Sequence, residues 1–355
     1  MEKNFLKFIK DPEDTSDLQF YSFEEEGENI INGLLVNPTK YNAYPILDGV
    51  PVMLPSMFSS SFIDKFKNEL DNVNKEHSNN LSFKQTKFNW SFSDEWQYHF
   101  DNSMDETWGW TIKERFEQFL LETESQSNEL NNKLILDAGC GNGDLTKYIS
   151  NYSEITFGID LSTSVFLAEK NRKSKNACFI MGDLQAMPFK DKTFDIMVSN
   201  GVIHHTPNTE TTFYSLARKV ALKGKLYIWL YSEKGNFVWR VKRKLFDIAR
   251  MIVCRLNSKM QSWIVSAFVA ILKIINPNTD KKKLRISMYD AITPRWRHYH
   301  TPEEVAYWYY RSEFGAISLT HFDNKYGFGI YAKKIPMDKT PGLNYGKEEI
   351  KSVLM

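Results

Sequence analysis

Ten residues, Leu134-Ile-Leu-Asp-Ala-Gly-Cys-Gly-Asn-Gly143, constrain this chain more than any others. Three apolar β-formers run into Asp137, and Gly139, Gly141 and Gly143 then alternate up to the helical pattern of Leu145 to Ile149. That order predicts a buried strand, a turn whose backbone comes close to a ligand, and a helix start. With no side chains at the glycines a ligand can lie on bare backbone, and the first turn of the helix offers N–H donors that have no partner inside it.

Two nucleotide cofactors use such a turn. The dinucleotide fingerprint G-x-G-x-x-G wants a small residue at position 144 and a pyrophosphate over the helix start. Here that position is Asp144, whose carboxylate repels a pyrophosphate. S-adenosylmethionine has no phosphate and carries cationic sulfonium and ammonium groups, which suit Asp137 and Asp144. The downstream segments fit the same reading. Phe157-Gly-Ile-Asp-Leu-Ser162 is a second strand ending in Asp160, 23 residues after Asp137, where a carboxylate can accept from both ribose hydroxyls. Phe179-Ile-Met-Gly-Asp-Leu184 is a third, whose Asp183 can accept from the adenine amino group while Leu184 covers the ring. Phe194–Asn200 is a fourth, followed by Gly201-Val-Ile-His-His-Thr-Pro-Asn208, and Lys225–Tyr231 is a fifth. The strand ends bring Gly139, Gly141, Asp160, Asp183, Asn200, His204 and His205 to one rim, which in an open parallel sheet is where ligands bind.

Asp137-Ala-Gly-Cys-Gly-Asn-Gly143, Gly158-Ile-Asp-Leu161, Gly182-Asp-Leu-Gln-Ala-Met-Pro-Phe189 and Phe194-Asp-Ile-Met-Val198 stand in that order. By these four blocks the chain resembles the class I S-adenosylmethionine-dependent methyltransferases of the type 11-like group, over roughly residues 115–335. The resemblance implies an α/β, Rossmann-like sheet of seven strands, six parallel and one antiparallel, with S-adenosylmethionine as cofactor. It implies Asp137, Gly139 and Gly141 around the methionine part, Asp160 with Leu161 at the ribose, Asp183 with Leu184 at the adenine, and Asn200 at the rim. One departure is Ala221-Leu-Lys-Gly-Lys225, where members commonly have Lys-Pro-Gly-Gly; it alters a loop and not the donor site.

The predicted organisation is a small β-rich module over 1–60, an aromatic-rich cap over 61–115, the methyltransferase domain over 116–335 with a helical insertion at 232–288, and a tail over 336–355. The module is read from Gly33-Leu-Leu-Val36 and Tyr44-Pro-Ile-Leu-Asp-Gly-Val-Pro-Val-Met-Leu-Pro55. It resembles the zinc-ribbon-like module often fused ahead of bacterial methyltransferases and related to a methyltransferase activator. Relatives carry Cys-x-x-Cys before the Tyr-Pro-Ile; this chain has Asn37-Pro-Thr-Lys40, so no thiolate pair and no metal are expected. The module must then be held by its own small core and by docking on the catalytic domain. The cap carries a polar helix, Ser61 to Glu76, and an aromatic cluster comprising Phe88, Trp90, Phe92, Trp96, Tyr98, Phe100, Trp108 and Trp110. It reads equally as packing over the core edge and as a lid closing on cofactor or acceptor.

The insertion bears on the acceptor. Val238, Val241, Leu245, Ile248, Ile252 and Leu256 recur at helical spacing, with Arg240, Arg243, Lys244 and Asp247 on the other face. A second helix follows around Trp263–Ile275, a run of 13 residues that includes a lysine and reads as too short to span a bilayer. Residues 232–285 hold 13 Lys or Arg against three Asp or Glu, a charge of +10 within a chain of net charge +1, which leaves the remainder at −9. The alternatives are a solvated helical lid, an anionic membrane surface or lipid-linked acceptor, and, last, nucleic acid, for which no accompanying RNA-binding motif is present.

For the chemistry, His204 and His205 are the candidate general bases, since histidine titrates near neutral pH. The competing reading has the pair shaping the loop, one ring packing and the other capping the next helix. Tyr231, Tyr289, Arg295, His298 and His300 are the candidate acceptor contacts. Thr301, Pro302 and Glu304 mark a helix start with a capping box, and a hairpin around Asp323-Asn324 completes the sheet. Cys140, Cys178 and Cys254 show no pair spacing and read as reduced thiols. The polar N-terminus, Met1-Glu-Lys-Asn-Phe, has no apolar signal region, so a cytoplasmic protein is the expectation, with a peripheral membrane position as the option the insertion opens. The reading as a whole is methyl transfer to an O or N atom of a small molecule (glycan, lipid-linked or secondary metabolite), with tRNA methylation or a non-catalytic cofactor-binding scaffold as alternatives.

Overall fold

The computed structural model describes residues 1–85, 106–107, 110–234, 237–275, 277–322 and 326–335. The aromatic cluster from Phe88 to Trp108, the turn at Asp323-Asn324 and the tail over 336–355 lie outside the described residues. Trp110, the last of the cluster, is exposed.

The chain opens on an antiparallel sheet of β1 (Gln19–Glu26), β2 (Asn29–Val36), β3 (Ala43–Leu47) and β4 (Val50–Pro51), paired in that order. Two short pairs follow, β5 (Met57–Phe58) with β6 (Lys84–Gln85) and β7 (Glu106–Thr107) with β8 (Trp110–Thr111). Between β5 and β6 the helix expected from Ser61 to Glu76 is broken at Phe66 into α1 (Ser60–Lys65) and α2 (Lys67–Glu76).

The main unit alternates strand and helix. In chain order it runs α3 (Ile112–Glu122), β9 (Leu134–Ala138), α4 (Asp144–Ile149), β10 (Ile155–Asp160), α5 (Ser164–Lys170), β11 (Ala177–Met181), β12 (Phe194–Asn200), α6 (Thr209–Lys219) and β13 (Val220–Tyr231). The insertion supplies α7 (Phe237–Val253), α8 (Ser258–Ile275) and α9 (Lys281–Ile292), and the unit ends with α10 (Pro302–Arg311), β14 (Phe314–Phe322) and β15 (Gly327–Lys334). The seven strands lie in the order β11-β10-β9-β12-β13-β15-β14, with β15 antiparallel to both of its neighbours. The sheet expected from sequence is therefore present. Strands β9, β10 and β11 are almost wholly buried, as parallel strands covered on both faces must be. Chain order reverses between β9 and β12, so the crevice of the sheet opens after the carboxyl ends of those two strands.

The N-terminal sheet does not stand apart. Met53 N–H donates to Met181 O at 2.8 Å and Val52 bridges Met181, so the chain leaving β4 covers the outer edge of β11. An uncovered edge strand would present unpaired backbone groups. Apolar side chains of the module share clusters with the large unit: Phe5, Ile30 and Tyr44 with Phe157 and Phe194, and Val50, Val52 and Phe62 with Phe179 and Met181. Asn37 ties the turn between β2 and β3 with hydrogen bonds. Its Oδ1 accepts from the N–H groups of Thr39 (3.0 Å) and Lys40 (3.1 Å), and its Nδ2 donates to Asp11 Oδ2 at 2.9 Å. Tyr44 donates its hydroxyl proton to the same Asp11 oxygen at 3.0 Å.

Two readings of the insertion change. Besides the two helices expected, it has a third, α9, which buries Ile286, Met288, Tyr289, Ala291 and Ile292. And the 13-residue apolar run sits within an 18-residue helix, α8, long and apolar enough to cross a membrane by length and composition. Val265 and Val269 of α8 are buried against Met288, Tyr289 and Ile292 of α9. The start of α10 is as expected in its hydroxyl half: Thr301 accepts from the Glu304 N–H, with Pro302 in the first turn. The Glu304 carboxylate lies 3.1 Å from His300 Nδ1.

Candidate active site

The glycine turn is built as the sequence implied, and two of its glycines are obligatory. Gly139 has φ +88°, and a Cβ there would sit 2.3 Å from Val202. Gly143, with φ +71°, is the N-cap of α4, and a Cβ would press on Phe179 and Ala168. The turn is fixed to the next strand by Gly139 N–H donating to Ile159 O at 2.7 Å.

Asp160, at the tip of β10, faces this turn. Its Oδ2 accepts from Gly141 N–H at 2.9 Å and its Oδ1 from Ser162 N–H at 2.8 Å, which orients the carboxylate and leaves further lone pairs for a ligand. Burial raises its pKa against those hydrogen bonds. Asp137 lies deeper. Thr146 donates its hydroxyl proton to Oδ2 at 2.6 Å, yet burial pushes the Asp137 pKa up to about 6. Arg115 of α3 opposes that rise, and Asp137 and Asp144 in turn favour its charge; sequence reading had not singled it out. Asp144 itself spans Asn142 Nδ2 (2.6 Å) and Lys147 (2.9 Å), placing negative charge at the start of α4, where a pyrophosphate would otherwise bind. Asp183 follows β11 and accepts from Gln185 N–H at 2.9 Å. Leu161 packs on the cluster beneath the N-terminal sheet, and Asn200 is exposed at the end of β12. The Leu184 side chain is buried in the main core.

Beside the donor crevice, the loop after β12 meets the insertion. His204 is fully buried, with its ring 4.1 Å from Tyr231 and 4.3 Å from His205, and neither ring nitrogen has a hydrogen-bond partner. Burial, reinforced by His205 and Arg297, drives its pKa well down and keeps the ring neutral. His205 places Nδ1 2.9 Å from Trp296 O and Nε2 3.3 Å from Asp290 Oδ1, so an acceptor faces each ring nitrogen. Neither ring caps the following helix, whose N-cap is the Asn208 side chain on Thr211 N–H.

Asp290 is the centre of this corner. Tyr231 donates its hydroxyl proton to Asp290 Oδ2 at 2.6 Å, and the Arg297 guanidinium lies 3.8 Å from the same oxygen and 4.3 Å from the Tyr231 ring. Burial works against the charge on Asp290, but Arg297, His205 and Tyr231 outweigh it and hold its pKa at about 2. Arg297 is in turn held charged by Asp290 despite its own burial.

The expected acceptor contacts divide accordingly. Tyr231 is in the cluster. His298 donates its N–H to His204 O at 2.9 Å, and its ring meets Thr206 O at 3.1 Å. His300 donates its N–H to Tyr231 O at 3.0 Å, so both residues brace the corner. Tyr289 and Arg295 lie apart from the cluster. Tyr289 is turned into the core of the insertion, where its hydroxyl meets Arg285 at 3.3 Å, and Arg295 is exposed, stacked on Trp296. Asp290 and Arg297 stand where those two were expected. Among the described residues no group of three or more His, Cys, Asp or Glu is arranged to hold a metal ion.

Residues 136–228 match the model of a family described as a methyltransferase domain. The chain is 32% identical over 156 residues to the probable tRNA methyltransferase 9B of Mus musculus, which covers 42% of this chain and 32% of that protein. It is 27% identical over 163 residues to the ubiquinone biosynthesis O-methyltransferase of Coxiella burnetii, covering 42% of this chain and 68% of that one. The chain thus spans about a third of the length of the mouse relative. Among solved structures it is similar to magnesium protoporphyrin IX methyltransferase from Synechocystis PCC 6803 with bound SAH, at 13% identity and a TM-score of 0.38 over 76% of this chain and 96% of that one. Over residues 136–228, then, the chain is similar to a methyltransferase domain.

Proposed function

We propose that this chain transfers the methyl group of S-adenosylmethionine to an O or N atom of a small molecule, with the acceptor entering at the corner of His204, Tyr231, Asp290 and Arg297. The observation that carries the reading is the juxtaposition of Asp160 with the glycine turn, a carboxylate held by Gly141 N–H beside backbone that no side chain obstructs. The transfer is an in-line displacement. An acceptor lone pair attacks the methyl carbon, the carbon–sulfur bond breaks, and S-adenosylhomocysteine leaves as a neutral thioether. A hydroxyl or ammonium acceptor must also lose a proton, so alignment and a base are what the protein has to add.

Of the two histidines, His204 is the candidate base because its nitrogens are unpartnered; burial lowers its pKa, so it accepts a proton only from an acceptor already bound against it. It is fully buried, so it acts only when the acceptor, or a turn of Tyr231, opens a path to it. His205 is bound at both nitrogens, and with Asp290 it serves to position the loop. Arg115 is suited to the carboxylate of the methionine part. The N-terminal sheet is read as a relative of the zinc-ribbon-like module in which the Asn37 hydrogen bonds stand where a metal would tie the turn.

A second reading, tRNA methylation, is favoured by the name of the mouse relative. Conversion of S-adenosylmethionine to S-adenosylhomocysteine, measured with the small-molecule and total-RNA fractions of a cell extract supplied separately, decides between them. Turnover with the first fraction alone supports the proposal, and turnover with RNA alone replaces it. Cofactor binding without turnover on either fraction favours a scaffold.

A further inference from the structure

Helical stripes with three- and four-residue spacing are normally buried. In α7 and α8 they face outward. Ten of the 17 exposed large apolar side chains among the described residues lie on these two helices. Leu245, Ile248 and Ile252 on α7 are 58–64% exposed, and Trp263, Ile271 and Ile274 on α8 are 56–81% exposed. This is a concentrated apolar face, beyond the scattering of single residues ordinary for a surface.

The charges around it select its occupant. Arg240 and Lys244 lie on α7, Arg255 at the turn between α7 and α8 and Lys259 in the first turn of α8, and all four are exposed. Where α8 and α9 diverge, a groove of about 480 Å³ has Val269, Ala270 and Ile274 on its walls, with Lys273, Lys281 and Arg285 also lining it. Apolar walls among cations have the chemistry of an acyl chain beneath a phosphate. A protein partner would be expected to offer hydrogen-bonding detail; a bilayer needs only apolar depth and negative charge.

The opposite face of α7 is joined to the acceptor corner. Arg243 stacks on Tyr299 at 4.3 Å, Arg250 pairs with Asp247 at 2.7 Å, and the α9 packed beside them carries Asp290. Helix α8 would be about 27 Å long, enough to cross a bilayer. Its packed side argues for lying on one instead, since Val265 and Val269 are buried and Arg285 bonds Ser262 (2.7 Å) and Ser266 (2.6 Å).

We propose that the α7–α8 face docks on an anionic phospholipid surface, lying in its headgroup region, and so brings membrane-resident acceptors to the corner at Asp290. The docking stands on exposure and charge alone; the acceptor class rests on the methyltransferase reading above.

The test is sedimentation of the full chain with vesicles of phosphatidylglycerol and phosphatidylcholine, and with phosphatidylcholine alone, each at low and high salt. Wild type should pellet with the anionic vesicles at low salt and be released by salt, which screens such attraction within about a Debye length. Replacing Arg240, Lys244, Arg255 and Lys259 with glutamine should lower the partition at least about tenfold. Leu245→Ser with Trp263→Ser should weaken it comparably, and cofactor affinity should stay unchanged in both variants as a check that they fold. No pelleting at low salt overturns the proposal, as does equal, salt-insensitive binding to neutral vesicles. Retention through a carbonate wash overturns the surface position of α8. Self-association in light scattering that Trp263→Ser abolishes, without vesicle binding, assigns the face to a second copy of the chain. If docking holds but methyl transfer to a lipid fraction is absent, the acceptor reading fails and the docking stands.

Discussion

The buried carboxylate of Asp137 ties cofactor affinity to pH. Its pKa is raised from the ordinary 3.8 to about 6, with burial as the chief cause, against the Thr146 hydrogen bond and the attraction of Arg115. A carboxylate raised in this way favours the folded state while protonated. Its contribution is fully present below about pH 3.8 and is lost as pH rises through about 6, a span worth ~3 kcal/mol. S-adenosylmethionine brings a sulfonium and an ammonium group, and these prefer the ionised form. The cofactor should therefore bind with release of a proton below pH 6, and its affinity should rise with pH. With about one-tenth of Asp137 ionised at pH 5, the Kd there should be roughly tenfold above its value at pH 7. The donor's own amino group titrates near 7.7–8.0 and lies above this window. Calorimetric titration at pH 5, 6 and 7, in pairs of buffers that differ in ionisation enthalpy, gives both the affinity and the protons released. Asp160, also raised by burial, adds in the same direction, so the control is Asp137→Asn, which should bind weakly and with a much flatter profile. Equal affinity from pH 5 to 7 with no proton release would refute the reasoning.

Other outcomes follow from individual contacts. Asp160→Ala should weaken cofactor binding by about 1.5–3 kcal/mol for each ribose hydrogen bond lost; unchanged calorimetric affinity would remove Asp160 from the donor site. Asp290→Asn leaves the buried Arg297 guanidinium without its counter-charge and should cost about 3–5 kcal/mol in denaturant unfolding; a loss well under 1 kcal/mol would show that solvent reaches the corner. Elemental analysis of the purified chain should find no stoichiometric zinc, since Asn37 and Lys40 supply no thiolate; one zinc per chain would contradict the reading of that turn.

The sheet was legible because its determinants are local. The run Leu134–Ala138 ends in a glycine turn, and the turn's positive φ angles at Gly139 and Gly143 leave little choice of residue. The next strands also end in polar groups that a ligand can use, so the strands and the rim they share follow from the chain itself. Fusion of the N-terminal sheet to the edge of β11 was not legible in the same way. It depends on Val52 and Met53 meeting Met181, a contact spanning more than a hundred residues, and no pattern in either segment announces it.

The acceptor corner failed at a finer scale, for a geometric reason. Neighbouring residues of a helix point about 100° apart. Knowing that Tyr289-Asp290 lay near the site could not tell which of them faced it. Packing decided: α8 and α7 needed the aromatic ring of Tyr289 for the core of the insertion, which left Asp290 facing Tyr231. The same argument selects Arg297 over Arg295, since the chain entering α10 is held by backbone bonds at His298 and His300, and a partner is needed for the buried Asp290. The polarity of that pair has a consequence for catalysis. A buried Asp290 that stays ionised at neutral pH holds Arg297 in place, and the guanidinium charge helps depress the pKa of His204. The base proposed for methyl transfer is thus kept neutral by a cluster whose key acid sits on the insertion. Any acceptor that displaces the Tyr231 hydroxyl from Asp290 would alter both the charge at the corner and the access to His204 in one step.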